Sequence, residues 1–458
     1  MRELKGDWRD LFNGFMVALD LRKCFLALCG IFVTILLCGG LTLWVGNSVD
    51  YKAVTPPAGG SLRLHEWWNA QKDAWDVIYD GAYERDKAGF PTGPRKDPNA
   101  GVVIGYTAAF ALLLIVIWSY FGGAIARIAA YEIAKDGERI ETRKALQFAR
   151  KKFWSFFWSP LICLIGLAFF ALCNYVGGMV GSLLEIVYVG GFLVAILLPL
   201  ALLSGFIMTL IALGTVAGFP LFAPAVAAEG TDSFDAVSRG FSYVYSRPWH
   251  YLGYQVVSAV YGYVCISFVI IFAVLMCHWG IKAGAAGFQV CGLVRTDQHT
   301  KQGEFQKIAN NAWAQILSEE HQGMERYRWD PAGIVRGPHP YGRLQTVANE
   351  IVDVNYEDLS PGKDHYAYVS FIIMFWLVIT LGLALGYVVS YGISQQTMIY
   401  YILRKKVDGI EMNEVFEETE EEAKPAEMSA SKPADAPAAP PAEAPKAEDK
   451  PSAEGDKK

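Results

Sequence analysis

From Ile186 through Ala228 the chain carries no charged side chain. Few folds accept such a stretch. A bilayer core about 30 Å thick takes roughly 20 helical residues to cross, and a backbone facing lipid must satisfy its hydrogen bonds within its own helix. Five more apolar blocks lie at residues 24–46, 102–126, 157–180, 251–277 and 367–394. With 187–218 they make six expected transmembrane helices. The composition agrees, with 19% of residues charged and 53% hydrophobic, where a soluble domain carries about 25% charged residues.

Proline removes a helical hydrogen bond, so Pro220 and Pro224 predict that the fourth span stops near Gly218. Whether residues 186–228 form one span or two is left open. The first block is longer than the apolar region of a cleaved signal, and no small-residue cleavage site follows it. It reads as a retained helix.

Lys and Arg beside spans mark the cytoplasmic side. One set is Arg2, Lys5, Arg9, Arg22 and Lys23, and a second runs from Arg127 to Lys152. The third is Arg404, Lys405 and Lys406. Six spans place all three sets on one side, with both termini in the cytoplasm and the protein in the cytoplasmic (inner) membrane. Residues 47–101 and 278–364 are then extracytoplasmic loops. Trp67, Trp68, Trp75, Ile78 and Tyr79 in the first loop recur at helical spacing, as do Phe305, Ile308, Ala309, Ala312, Trp313 and Ile316 in the second. They predict a small helical cap built from both loops.

Three segments on the cytoplasmic side share a layout: a polar start, an amphipathic stretch, a basic-aromatic edge and then a span. They fall within residues 1–23, 127–156 and 219–250. Their apolar stripes are Leu11, Phe12, Phe15, Met16 and Leu19, then Ile140, Leu146, Phe148 and Ala149, then Phe234, Val237, Phe241 and Val244. One greasy stripe flanked by Lys, Arg and Trp suits a helix lying in the headgroup layer. The expected fold is an all-α membrane protein: three helix hairpins, each opened by an amphipathic elbow helix. Residues 395–422 read as a cytoplasmic basic-then-acidic segment. Residues 423–458, almost wholly Ala, Pro, Lys, Glu and Asp, lack the apolar area to offset ordering and read as a disordered tail.

The segment Ala225 to Tyr254, AVAAEGTDSFDAVSRGFSYVYSRPWHYLGY, resembles an element that recurs in polytopic bacterial membrane proteins. It is similar to the membrane domains of the YciC-like and glycerophosphodiester-phosphodiesterase-associated families. The stretch Gln396 to Phe416 looks like the ending of membrane proteins of planctomycete-type bacteria. The resemblance implies a membrane fold with elbow helices and no particular reaction. The phosphodiesterase's catalytic barrel has no counterpart in this sequence, so its activity is not implied.

Motifs for chemistry are missing from the sequence. It has no phosphate-binding GxxxxGK[ST], no GxGxxG after a strand, no GxSxG and no paired-carboxylate motif. No catalytic, cofactor-binding or metal-binding residue is nominated, no cofactor is expected, and the chain does not read as an enzyme. Six of the seven histidines, namely His65, His278, His299, His321, His339 and His365, lie in the two outer loops without HxxxH or HExxH spacing. Seven of the eight cysteines sit in or beside apolar blocks as small hydrophobes, and Cys291 stands alone in a loop. No Asp, Glu, Lys or Arg falls well inside a span, which argues against a proton-coupled pump.

The partners expected are the lipid bilayer and, through the acidic tail or the GxxxG faces, a protein. Nucleic acid is not among them, because the basic residues are dispersed along the membrane edge. Gly101/Gly105, Gly177/Gly181, Gly214/Gly218 and Gly382/Gly386 have the spacing that lets helices approach closely, within the fold or between subunits. The leading expectation is a non-enzymatic scaffold or accessory subunit of a membrane assembly. The alternative is a transporter or lipid-handling protein using a groove between the hairpins.

Overall fold

The computed structural model describes residues 5–49, 70–71, 74–75, 77–79, 99–184, 190–290, 308–309, 312–313 and 364–417. The chain divides into two units, Met1–Phe416 and Glu417–Lys458. The expected tail at 423–458 lies outside the described residues, as does most of both loops.

Among the described residues every regular element is a helix. A short 3-10 turn, Trp8–Asn13, leads into α1 (Gly14–Ala18) and α2 (Leu21–Val49). After α3 (Ala100–Ala134) come α4 (Thr142–Lys151), α5 (Phe153–Leu184) and α6 (Gly190–Glu229). Then follow α7 (Ser233–Ser246), α8 (Pro248–Val290) and α9 (Asp364–Val407). Six of these, α2, α3, α5, α6, α8 and α9, carry apolar stretches long enough to cross a membrane. This is an all-α membrane protein. The hairpins are α2 with α3, α5 with α6 and α8 with α9, and α9 also packs on α2, α3 and α6. The turn with α1, then α4, then α7 are the three elbows. Both chain ends of the unit meet on the elbow side, where Lys406 Nζ lies 3.9 Å from Asp7.

The helices outrun the apolar blocks. At 1.5 Å per residue the 44 residues of α9 extend about 66 Å, some twice the hydrocarbon thickness. The overrun is where the core lies. Ala126, Ala129, Ala130 and Ile133 of α3 are buried there against Leu221 and Ala225–Ala228 of α6 and Met398–Leu403 of α9. Consecutive buried residues mean that these turns are enclosed on every face. Residues 395–407, expected to follow the last span as part of a basic-then-acidic segment, are therefore the largely buried end of α9, and Arg127–Ala134 belong to α3 rather than to an elbow.

The fourth span does not stop at Gly218. It is one helix, which continues through Pro220 and Pro224 to Glu229. A side chain supports the helix beside the first of these prolines. One turn before Pro220, the Ala217 carbonyl accepts a hydrogen bond from the Tyr251 hydroxyl. Gly230 then ends the helix in the left-handed conformation, φ +65°, with its N–H donating to Val226 O at 2.9 Å.

The elbows bury their small residues. Gly14, Val17 and Ala18 face inward on the first, Ala145, Phe148 and Ala149 on the second, and Ala236, Val237, Gly240, Tyr243 and Val244 on the third. Four of the thirteen expected stripe residues face away from the protein. Phe12, Met16, Leu19 and Phe234 are exposed. Small inward residues such as Ala18, Ala145 and Gly240 let each elbow lie close on the spans beside the buried Phe148 and Tyr243, and the exposed large ones suit the interfacial layer.

Of the glycine pairs, Gly382 and Gly386 let α9 touch Leu28 and the backbone of Cys24 in α2, and Gly214 and Gly218 receive the Phe241 ring. These two pairs serve packing within the fold. Gly181 faces Val194, while Gly105 and Gly177 have no neighbour at the Cβ position. The few described loop residues pack on span ends. Ala74 meets Gly46, Trp75 stands edge-on to Tyr106, and Trp313 is buried with Val274, Met374 and Leu377. A cap joining the two loops to each other falls outside the described residues.

Candidate functional site

Charged and polar side chains converge on the elbow end of the bundle, in three groups. In the first, Lys23 at the start of α2 donates to Glu132 Oε2 of α3 at 2.7 Å. The lysine side chain is fully buried and the glutamate 6% exposed. Desolvating two ions is costly, and only a contact this close, with further hydrogen bonds, offsets it.

The second group surrounds Glu229 at the C-terminal end of α6. Carbonyl dipoles make that end electronegative, so a buried carboxylate there needs cations. Arg239 Nε of α7 lies 2.9 Å from Glu229 Oε2, and Arg404 Nε of α9 lies 3.7 Å from Oε1. The Tyr400 hydroxyl donates to Oε1 at 2.6 Å. Arg239 also reaches Asp235 at 3.2 Å and Asp408 at 3.5 Å. Burial alone would lower the Arg239 pKa, but Glu229 and the other partners outweigh it and hold the pKa above the ordinary arginine range. Tyr243, which donates to Asp408, is pushed up first by burial and then by that carboxylate. It stays a proton donor at any physiological pH.

The third group is built on Arg127 of α3. Its Nη1 donates to Ala227 O at 2.7 Å and its Nη2 to the Phe416 carbonyl, while the guanidinium lies over the Phe148 ring at 4.3 Å. The arginine thus caps the last turn of α6 and holds the strap 408–416 that follows α9. The strap returns the contact, with Phe416 N–H donating to Ala228 O at 2.8 Å. A Cβ on Gly230 would stand 2.6 Å from the Phe416 ring, so only glycine leaves room for the strap.

Further polar contacts run down α9. Gln395 Nε2 donates to Leu11 O at 2.8 Å, and Ser390 Oγ donates to Ala18 O at 2.8 Å. Gln396 and Gln255 of α8 exchange hydrogen bonds at 2.8 and 2.9 Å. This seam ties both the first elbow and α8 to α9.

Sequence reasoning nominated no site residue and treated Lys23, Arg127 and Arg404 only as markers of sidedness. The structure brings each into a buried contact. The missed signal was the run Gln395, Gln396, Tyr400, Tyr401 and Arg404, which continues α9 at helical spacing with no breaker before Gly409. His278 is buried in α8, and the side chains of the other five loop histidines fall outside the described residues. The seven described cysteines are free, four of them buried. Among the described residues no group of His, Cys, Asp and Glu is placed to hold a metal. The chain matches no protein-family model, and comparison with curated proteins and with solved structures finds no match either.

Proposed function

We propose that the protein is a non-enzymatic scaffold or accessory subunit of a membrane assembly, set in the cytoplasmic membrane with the elbow side inward. The observation that carries this reading is the pairing of the elbow-end charges with one another. Lys23 is matched to Glu132, Arg239 and Arg404 to Glu229, and Arg127 to backbone carbonyls. Such an arrangement fixes helices in place. The exposed Arg9, Arg22, Arg143, Lys144, Arg150 and Lys151 lie on the same side, which supports the inward orientation. The likeness of Ala225–Tyr254 to elbow-bearing membrane domains is part of the same proposal.

The outer hairpin α5–α6 favours a second reading, lipid handling. It presents Leu172, Val176, Met179, Leu183, Ile196 and Leu200 outward. On this apolar surface Ser204 Oγ donates to Asn174 Oδ1 at 2.8 Å, with Asn174 exposed and Ser204 half-buried. One experiment separates the readings. Cross-linking in native membranes, then purification in mild detergent, should recover the protein with another membrane protein in fixed ratio. Recovery alone, together with lipid scrambling by the pure protein in vesicles, would overturn the scaffold in favour of lipid handling. Reporters at Lys458 and near Gly93 should read opposite sides, with Lys458 cytoplasmic.

A further inference from the structure

The strap that follows α9 is held in an unusual way. Asp408 binds Tyr243 and Arg239, Glu411 lies 3.2 Å from Lys405, and Glu414 lies 3.8 Å from Arg404 Nη2. Its last residue gives its carbonyl to Arg127 and its ring to Lys152 Nζ at 5.9 Å. Acceptor oxygens of the strap thus occupy the faces of two arginines, with a lysine beside them. The arginines belong together. Tyr401 donates to Ala130 O, one turn along α3 from Arg127, and the Arg404 guanidinium lies over the Tyr401 ring at 5.3 Å.

The fit at Arg404 is incomplete. The residue is 3% exposed, yet its Nε and Nη1 make no hydrogen bond, and its two ion pairs are 3.7 and 3.8 Å long. A buried guanidinium with unsatisfied donors is costly, and the planar fork of arginine suits two oxygens of one group better than single distant carboxylate atoms. The side chain of Glu414 is 67% exposed, so solvent already reaches the outer face of this contact.

We propose that the strap 408–416 is a displaceable internal ligand seated on a phosphate-binding site formed by Arg127 and Arg404, with Lys152 at its edge. A phosphate group carries the acceptors that Arg404 lacks, and phospholipid headgroups lie at the depth where helices leave the hydrocarbon. Binding there releases Glu414 and the Phe416 carbonyl and opens the Phe416–Ala228 hydrogen bond. The inference does not depend on whether the protein is a scaffold or a lipid handler.

The test uses the full-length protein in uncharged detergent. Hydrogen exchange is followed at residues 408–416 with phosphatidylglycerol, with inorganic phosphate or with neutral diacylglycerol. Phosphatidylglycerol should speed exchange at the Phe416 amide about tenfold or more, because a ligand that binds only the open state shifts that opening equilibrium. The same response to inorganic phosphate would mean that the site reads phosphate alone, and a response only to the lipid would mean that it reads the headgroup in place. Glu414→Gln, on a largely exposed side chain, should reach the same exchange at about a tenth of the phosphatidylglycerol concentration, since one competing acceptor is weakened. Unchanged protection with every addition, or equal acceleration by diacylglycerol, overturns the proposal.

Discussion

Replacing Lys23 by Met should be the most damaging single change at the elbow end. The substitution keeps the length and packing of the side chain but removes the ion pair of Glu132 with Lys23; Glu132 is 6% exposed at the α2–α3 contact. Breaking a buried pair from one side costs about 3–5 kcal/mol, most of it from the charge left unpaired. Each 1.4 kcal/mol is tenfold in an equilibrium constant, so the unfolded-to-folded ratio should rise by roughly two to four orders of magnitude. The double change Lys23→Met with Glu132→Leu removes both charges and should return stability to within about 1 kcal/mol of the parent or above it, as buried pairs replaced by apolar residues often do. Equilibrium unfolding by SDS in mild detergent, followed by tryptophan fluorescence, reports both. A single variant no weaker than the double one would show that the pair contributes nothing. A double variant weaker than either single change would show that the ions stabilise beyond their own desolvation, and the reasoning would fail.

Other outcomes follow from the same geometry. Val237→Ser, on the buried face of α7, should lower stability by roughly 1.5–3 kcal/mol, whereas Phe234→Ser, at a residue 71% exposed, should leave unfolding in detergent unchanged. Equal effects at the two positions would mean that the third elbow is not docked as described. Gly386→Leu drives a side chain into the backbone of Cys24 and should cost about 1–3 kcal/mol or more through overpacking, seen as a lower midpoint in the same titration. Deleting residues 423–458 should change neither membrane insertion nor the unfolding midpoint, and a lower midpoint would contradict the reading of that segment as a tail without a core.

The six spans were legible because bilayer thickness sets a length that hydropathy reports directly. Helix ends were not, because hydropathy marks where lipid stops rather than where the backbone stops being helical. Arg127 and Glu132 therefore looked like loop residues although α3 runs on through them to Ala134, about two further turns. Pro220 and Pro224 misled for a related reason. A proline ends a helix unless side chains nearby support the turn it weakens, and the Tyr251 hydroxyl that bonds Ala217 O lies beyond the elbow α7 in sequence. The charge network was hidden because its partners are distant along the chain: Lys23 from Glu132, Arg127 from Ala227, Glu229 from Arg404. The strap gave no periodic signal, since Met412, Val415 and Phe416 pack from a segment that is neither helix nor strand. The elbows were legible as amphipathic, but which apolar residues face inward was decided by small residues such as Ala236 and Gly240.

Among the described residues the outer half of the α5–α6 hairpin is mostly exposed, while its elbow end packs on α3, α7 and α9. It is built like the tines of a fork, fixed at the handle. In a thinner or thicker bilayer, hydrophobic mismatch is relieved by tilting, at a cost of fractions of a kcal/mol per Å. Here the tilt should fall on the tines, where Ile196, Leu200 and Leu203 are exposed. The buried charges at the handle keep their distances. The protein can thus sit in membranes of differing thickness without disturbing the Glu229 network.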